Sequence, residues 1–121
     1  MKRLFAQLTA ASLVVAFSGA VHAADIKKGE DLVNKGGCIA CHGAGLDKPI
    51  APNYPIIAGQ YESYLFHALQ QYQAKSQTPL YGRNNPIMGG IVGQYSSQDL
   101  HDIAAYVASL KGPLYIRDEM H

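Results

Sequence analysis

Apolar residues recur at helical spacing in three separate stretches of this chain. The clearest is the last, "SSQDLHDIAAYVASLKGP", where Leu100, Ile103, Ala104, Val107 and Leu110 share a side with Tyr106 next to them. Ser96 and Asp99 form a Ser-x-x-Asp start signal, Ser97 is a second capping choice, and Gly112-Pro113 ends the run. The first stretch is "ADIKKGEDLVNKGG", with Asp25 as cap, an apolar side of Ile26, Leu32 and Val33, and Gly36-Gly37 as stop. Gly29 sits inside it at a cost of about 1 kcal/mol relative to alanine, which close packing against another element would offset. The middle stretch, "GQYESYLFHALQQYQAKS", repeats Tyr61, Tyr64 or Leu65, Ala68, Leu69 and Tyr72 at three- and four-residue steps.

Between these helices the period disappears. Residues 43–59 carry Gly43, Gly45, Pro49, Pro52 and Pro55, and "TPLYGRNNPIMGGIVGQY" is again rich in Gly, Pro and Asn; both read as irregular loops. No strand pair, internal repeat or low-complexity linker stands out. The expected fold is all-α: three main helices and two long loops. Loops of this length are uncommon in a compact domain unless they serve a function, and here they need something to enclose.

The N-terminus follows a different rule. Lys2 and Arg3 precede a charge-free apolar run that closes on "VHAAD", the pattern of a secretory signal peptide over residues 1–23. The run is short for a membrane span; an uncleaved anchor is the alternative. The expected domain is residues 24–121, destined for the periplasm. A domain this small has a thin protein-only core. Loss of Lys2 and Arg3 takes the formal charge from +1 to about −1. With no basic patch or run, nucleic acid is not an expected partner.

Export changes the meaning of the only two cysteines, Cys38 and Cys41, since free thiols seldom persist in an oxidising compartment. They stand in "CIACH", followed directly by His42. A thioredoxin-like pair needs a βαβ setting that is missing. A structural zinc site wants a second ligand pair, and none exists. A disulfide across so short a loop would add little stability. The remaining reading is covalent attachment of one haem c, with Cys38 and Cys41 as thioether anchors and His42 as an axial iron ligand.

A six-coordinate iron needs a second ligand. The chain has three methionines: Met1 in the signal peptide, Met120 in the polar tail, and Met88 in "NNPIMGGIVG". A core-filling methionine more often lies on a periodic helical face. Met88 does not, which makes it the candidate ligand. His67 and His101 are weaker rivals, placed on amphipathic helices as ordinary boundary histidines.

At this point the ordered set resembles the class I cytochromes c, in particular the short bacterial periplasmic kind and one half of the di-haem periplasmic cytochromes. The resemblance rests on "GGCIACHG", "YPIIAGQYESYL", "GRNNPIM" and "YSSQDLHDIAAYVASL" and spans nearly the whole mature chain. It implies that Gly29 and Tyr106 meet at a helix crossing. It also implies that Pro55 offers its carbonyl to the outer nitrogen of His42, with Pro52 as runner-up. Arg83 and Gln60 are candidate partners for the haem propionates, and Asn84 or Asn85 for the methionine sulfur. Ile56-Ile57 departs mildly from a leucine common in the family, and the tail "GPLYIRDEMH" runs past its usual end.

The expected function is a monomeric periplasmic electron carrier, not an enzyme. It would exchange electrons with redox proteins and meet a membrane only through a partner complex. Two alternatives stay open: an electron-transfer subunit of a larger periplasmic oxidoreductase, and a haem enzyme or gas sensor if Met88 is not a ligand.

Overall fold

The computed structural model describes residues 22–74 and 83–114. Residues 1–21 of the expected signal peptide, with Met1, and the tail from 115 with Met120 lie outside them. Among the described residues there are five helices and no strand: α1 (Ile26–Lys35), α2 (Cys38–His42), α3 (Glu62–Gln73), α4 (Pro86–Val92) and α5 (Ser97–Ser109). No helix among them is long and apolar enough to cross a membrane.

The first and last helices form the frame. The Asp25 side chain accepts the Lys28 N–H and starts α1, and Lys35 lies in its last turn where a cation suits the exposed carbonyls. Ser96 and Asp99 form a reciprocal capping box on α5. α1 and α5 make the most extensive helix contact. At their crossing Gly29 is buried. A Cβ there would clash with the Asp102 carbonyl oxygen and come within 2.9 Å of Tyr106 Cβ. Only glycine lets the backbones approach this closely.

A polar knot secures the same crossing. Asp102 is 1% exposed, and its carboxylate accepts the Asp25 N–H and Gln98 Nε2, each at 2.9 Å. Lys28 Nζ lies 2.6 Å from Asp99 and 3.3 Å from Asp102. Burial pushes the Asp102 carboxyl up, but the Asp25 N–H, Gln98 and Lys28 outweigh it and hold it below the ordinary value. Lys28 and the Ser96 cap hold Asp99 at about 2.

The core continues from this frame through Val33, Leu100, Ile103, Ala104 and Val107 to Leu65 of α3, Val92 of α4 and Leu46 and Ala58 of the long loop. Leu65, not Tyr64, takes the inward position on α3: Leu65 is 7% exposed and Tyr64 50%. α3 begins later than its apolar pattern suggested, at Glu62, because Gly59 turns at φ 77° and gives its N–H to Val107 at the end of α5.

The second expected loop is partly helical. Asn85 accepts the N–H groups of Ile87 and Met88 on its side-chain oxygen, Pro86 takes the first helical position, and α4 runs to Val92. Asn85 and Pro86, read above as loop residues, here start a helix, and Gly89 and Gly90 lie inside it. Met88 therefore lies on a helix after all.

Candidate haem cleft

α2 is a five-residue helix set between two glycines in positive φ, Gly37 at 82° and Gly43 at 85°. Gly43 could carry no side chain: its Cβ would run into the Lys48 carbonyl. The turn beyond it folds back so that Ile50 N–H bonds the Cys41 carbonyl at 3.1 Å. These constraints set Cys38, Cys41 and His42 on one wall of a single cleft, with a cavity volume of about 320 Å³.

The two thiols are not joined to each other. Burial pushes the Cys38 thiol above its ordinary value, the reverse of the depressed thiol that a reactive redox pair uses. His42 is 5% exposed. Its Nδ1–H donates to the Pro55 carbonyl at 2.7 Å, and Tyr54 meets its ring edge-on at a centroid distance of 6.5 Å. Pro52 makes no such contact among the described residues. With Nδ1 engaged, the lone pair of Nε2 is left for the cleft.

Met88 lines the same cleft from α4, together with Ile87, Ile91 and Val92. Leu65, Leu69 and Tyr72 of α3 add apolar lining, as do Val33 of α1 and Ile103 and Val107 of α5. Besides His42 and tyrosines, the polar side chains in the lining are Asn53, Gln60, Arg83 and Asn85. Arg83 is held there rigidly. Its guanidinium lies 5.5 Å from the Tyr64 ring and 5.6 Å from the Tyr72 ring, and Nε donates to Gln71 at 2.9 Å. The Asn85 oxygen is already occupied by the two backbone N–H groups of α4, and Asn84 does not line the cleft. Gln60 Oε1 accepts the Tyr61 N–H.

His67 and His101 stand elsewhere. Both flank Phe66 on the outer side of α3 and α5, and His101 Nε2 lies 3.1 Å from Glu62. Among the described residues no three His, Cys, Asp or Glu side chains converge as a metal cluster. Cys38, Cys41 and His42 are thus spread along a wall and do not aim at one point.

An apolar cavity in a domain this small leaves the core unpacked unless something apolar fills it. Two thiols and an oriented imidazole on α2 and a thioether on α4, all lining one cleft, are a donor set that suits an iron porphyrin.

The family profile described as Cytochrome c matches residues 26–111, and the chain belongs to that family. The fold is that of a class I cytochrome c, and its cofactor is covalently bound haem c. The chain is similar to the cytochrome c4 of Stutzerimonas stutzeri, 43% identical over 65 residues, which cover 53% of this chain and 30% of that protein. Among solved structures it resembles reduced recombinant cytochrome c4 from Pseudomonas stutzeri. There the TM-score is 0.65 and the identity 42%, over 74% of this chain and 47% of the other. It also resembles cytochrome c4 from Acidithiobacillus ferrooxidans, at a TM-score of 0.61 and 28% identity, over 77% and 54%. The matched region thus spans about a third to a half of these relatives' length.

Proposed function

We propose that this chain is a periplasmic electron carrier holding one haem c, with Cys38 and Cys41 as its thioether anchors and His42 and Met88 as its axial iron ligands. The observation that carries the reading is the placement of His42 and Met88 on different helices lining one apolar cleft. When bound, haem supplies one-electron exchange between ferric and ferrous iron.

The chain's own residues define the conditions for that exchange. The Pro55 carbonyl fixes the His42 ring and its tautomer. With His42 and Met88 both holding the iron, the bound haem would have no open position for oxygen or substrate, and thioether ligation would raise its reduction potential. The aliphatic lining excludes water, and Arg83 offers a fixed cation for a carboxylate at the cleft edge. Brief contacts with donor and acceptor redox proteins suit such a carrier, and the cytochrome c4 relatives, one described in terms of tuning of electron transfer, support the same reading. Residues 1–23 act as the signal peptide that delivers the domain.

The test is a spectroscopic redox titration of mature protein beside Met88→Ala. The parent should show a covalent c-type spectrum with the weak far-red sulfur-to-iron band; the variant should lose that band and titrate at a lower potential. A high-spin ferric parent, or an unchanged variant, would overturn the ligand set. Edman sequencing of the exported protein should begin at Ala24.

A further inference from the structure

α4 has little reason to be helical on its own. It spans seven residues, two of them glycine. That is far below the length at which an isolated helix holds, and each glycine costs about 1 kcal/mol relative to alanine. Asn85 caps its start, and α3 holds the rest of it.

Three consecutive residues at the end of α3 each grip a different part of the segment from Arg83 to Tyr95. Gln71 accepts the Arg83 N–H on its carbonyl at 3.2 Å and the Arg83 Nε on its side chain at 2.9 Å. The Tyr72 carbonyl lies against Gly89, where a Cβ would come within 3.3 Å. Gln73 Nε2 donates to the Val92 carbonyl at 2.8 Å and the Tyr95 carbonyl at 2.6 Å. The last carbonyls of a helix have no partner within it, and Gln73 supplies one from outside. Val92 stands four residues after Met88, about one turn, so whatever holds Val92 also holds the register of Met88.

We propose that Gln73 is a positioning residue for Met88, pinning α4 against α3 so that the thioether stays on the cleft. Gln73 does not itself line the cleft and acts through the backbone of α4. The proposal rests on Met88 being the second iron ligand.

Gln73→Glu keeps the size of the side chain, removes a donor and sets a carboxylate against two carbonyl oxygens. Gln73→Ala removes the donor without adding charge and serves if the first variant fails to fold. Gln98→Ala, which loosens the α1–α5 crossing, is the control for a general loss of stability. In the ferric holoprotein the far-red band of the Gln73 variants should vanish at a pH about one unit lower than in the parent, as expected for losing two neutral hydrogen bonds. Hydrogen exchange of the Gly89–Gly93 amides should be about tenfold faster, with the Ile103–Val107 amides unchanged. Gln98→Ala should leave the band's pH midpoint in place. An unmoved midpoint in both Gln73 variants, or an equal shift in Gln98→Ala, overturns the proposal. If Met88→Ala retains the band, the ligand reading fails and takes this proposal with it; if Met88→Ala loses the band while the Gln73 variants match the parent, only the role of Gln73 fails.

Discussion

The Nδ1–H of His42 points at the carbonyl of Pro55 across 2.7 Å, inside a ring environment that is 5% exposed. Because a carbonyl can only accept, the ring proton is fixed on Nδ1 and the opposite nitrogen keeps its lone pair. In the diamagnetic reduced holoprotein this proton should give a resolved NMR signal that exchanges slowly with water. A signal broadened away by solvent exchange under the same conditions would show that the bond does not persist in solution.

Gly29 carries a second prediction. The backbone of α5 occupies the space that a methyl group would need, and backbone cannot rotate out of the way. Gly29→Ala should destabilise the holoprotein by about 3 kcal/mol in chemical denaturation. A loss below about 0.5 kcal/mol would mean that the two helices separate more easily than their packing implies.

The knot around Asp102 predicts acid lability. Asp99 falls from an ordinary 3.8 to about 2 in the folded protein, and Asp102 is lowered as well. Depressed carboxyls stabilise the fold above their ordinary value, and that contribution drains away as pH falls through the folded one. Melting temperature should therefore drop between pH 4 and pH 2. Asp102→Ala should flatten part of that drop and cost about 2 kcal/mol at neutral pH, since the Asp25 N–H and the Gln98 amide lose their acceptor. A melting profile with the same slope in parent and variant would remove Asp102 from the account.

Asn85 predicts a split between two substitutions. Asn85→Asp keeps an acceptor for the Ile87 and Met88 N–H groups, whereas Asn85→Ala does not. Alanine should cost about 1 kcal/mol and weaken the far-red band, while aspartate should do neither to that extent. Equal behaviour of the two variants would indicate that the cap is not what holds the start of α4.

What could be read from the sequence follows from where each signal resides. α1 and α5 were legible because their caps and apolar spacing lie within one short stretch. The cysteine-histidine wall of the cleft was legible too, since Cys38, Cys41 and His42 fall within five residues. α4 was not: Asn85-Pro86 can start a helix but reads equally as a turn, and the contacts from α3 that hold the rest of it leave no local pattern. Pro55 as the His42 partner came from the family resemblance and not from the residue itself, because the accepting atom is a backbone carbonyl, which every residue has. Gln73 left no trace at all, being a polar residue at the end of an amphipathic helix, where solvent is the ordinary expectation.

The pairing of α1 with α5 bears on how such a chain becomes a protein. Its two most extensively packed helices are separated by most of the cleft-forming sequence, Asp102 following Asp25 by 77 positions. A polypeptide delivered N-terminus first therefore has its opening helix without a mate until the closing one arrives, and forms its long-range contacts late. The cysteine wall is in hand early, whereas the frame around it is completed last. Such an order keeps the thiols reachable for chemistry while the domain is still open.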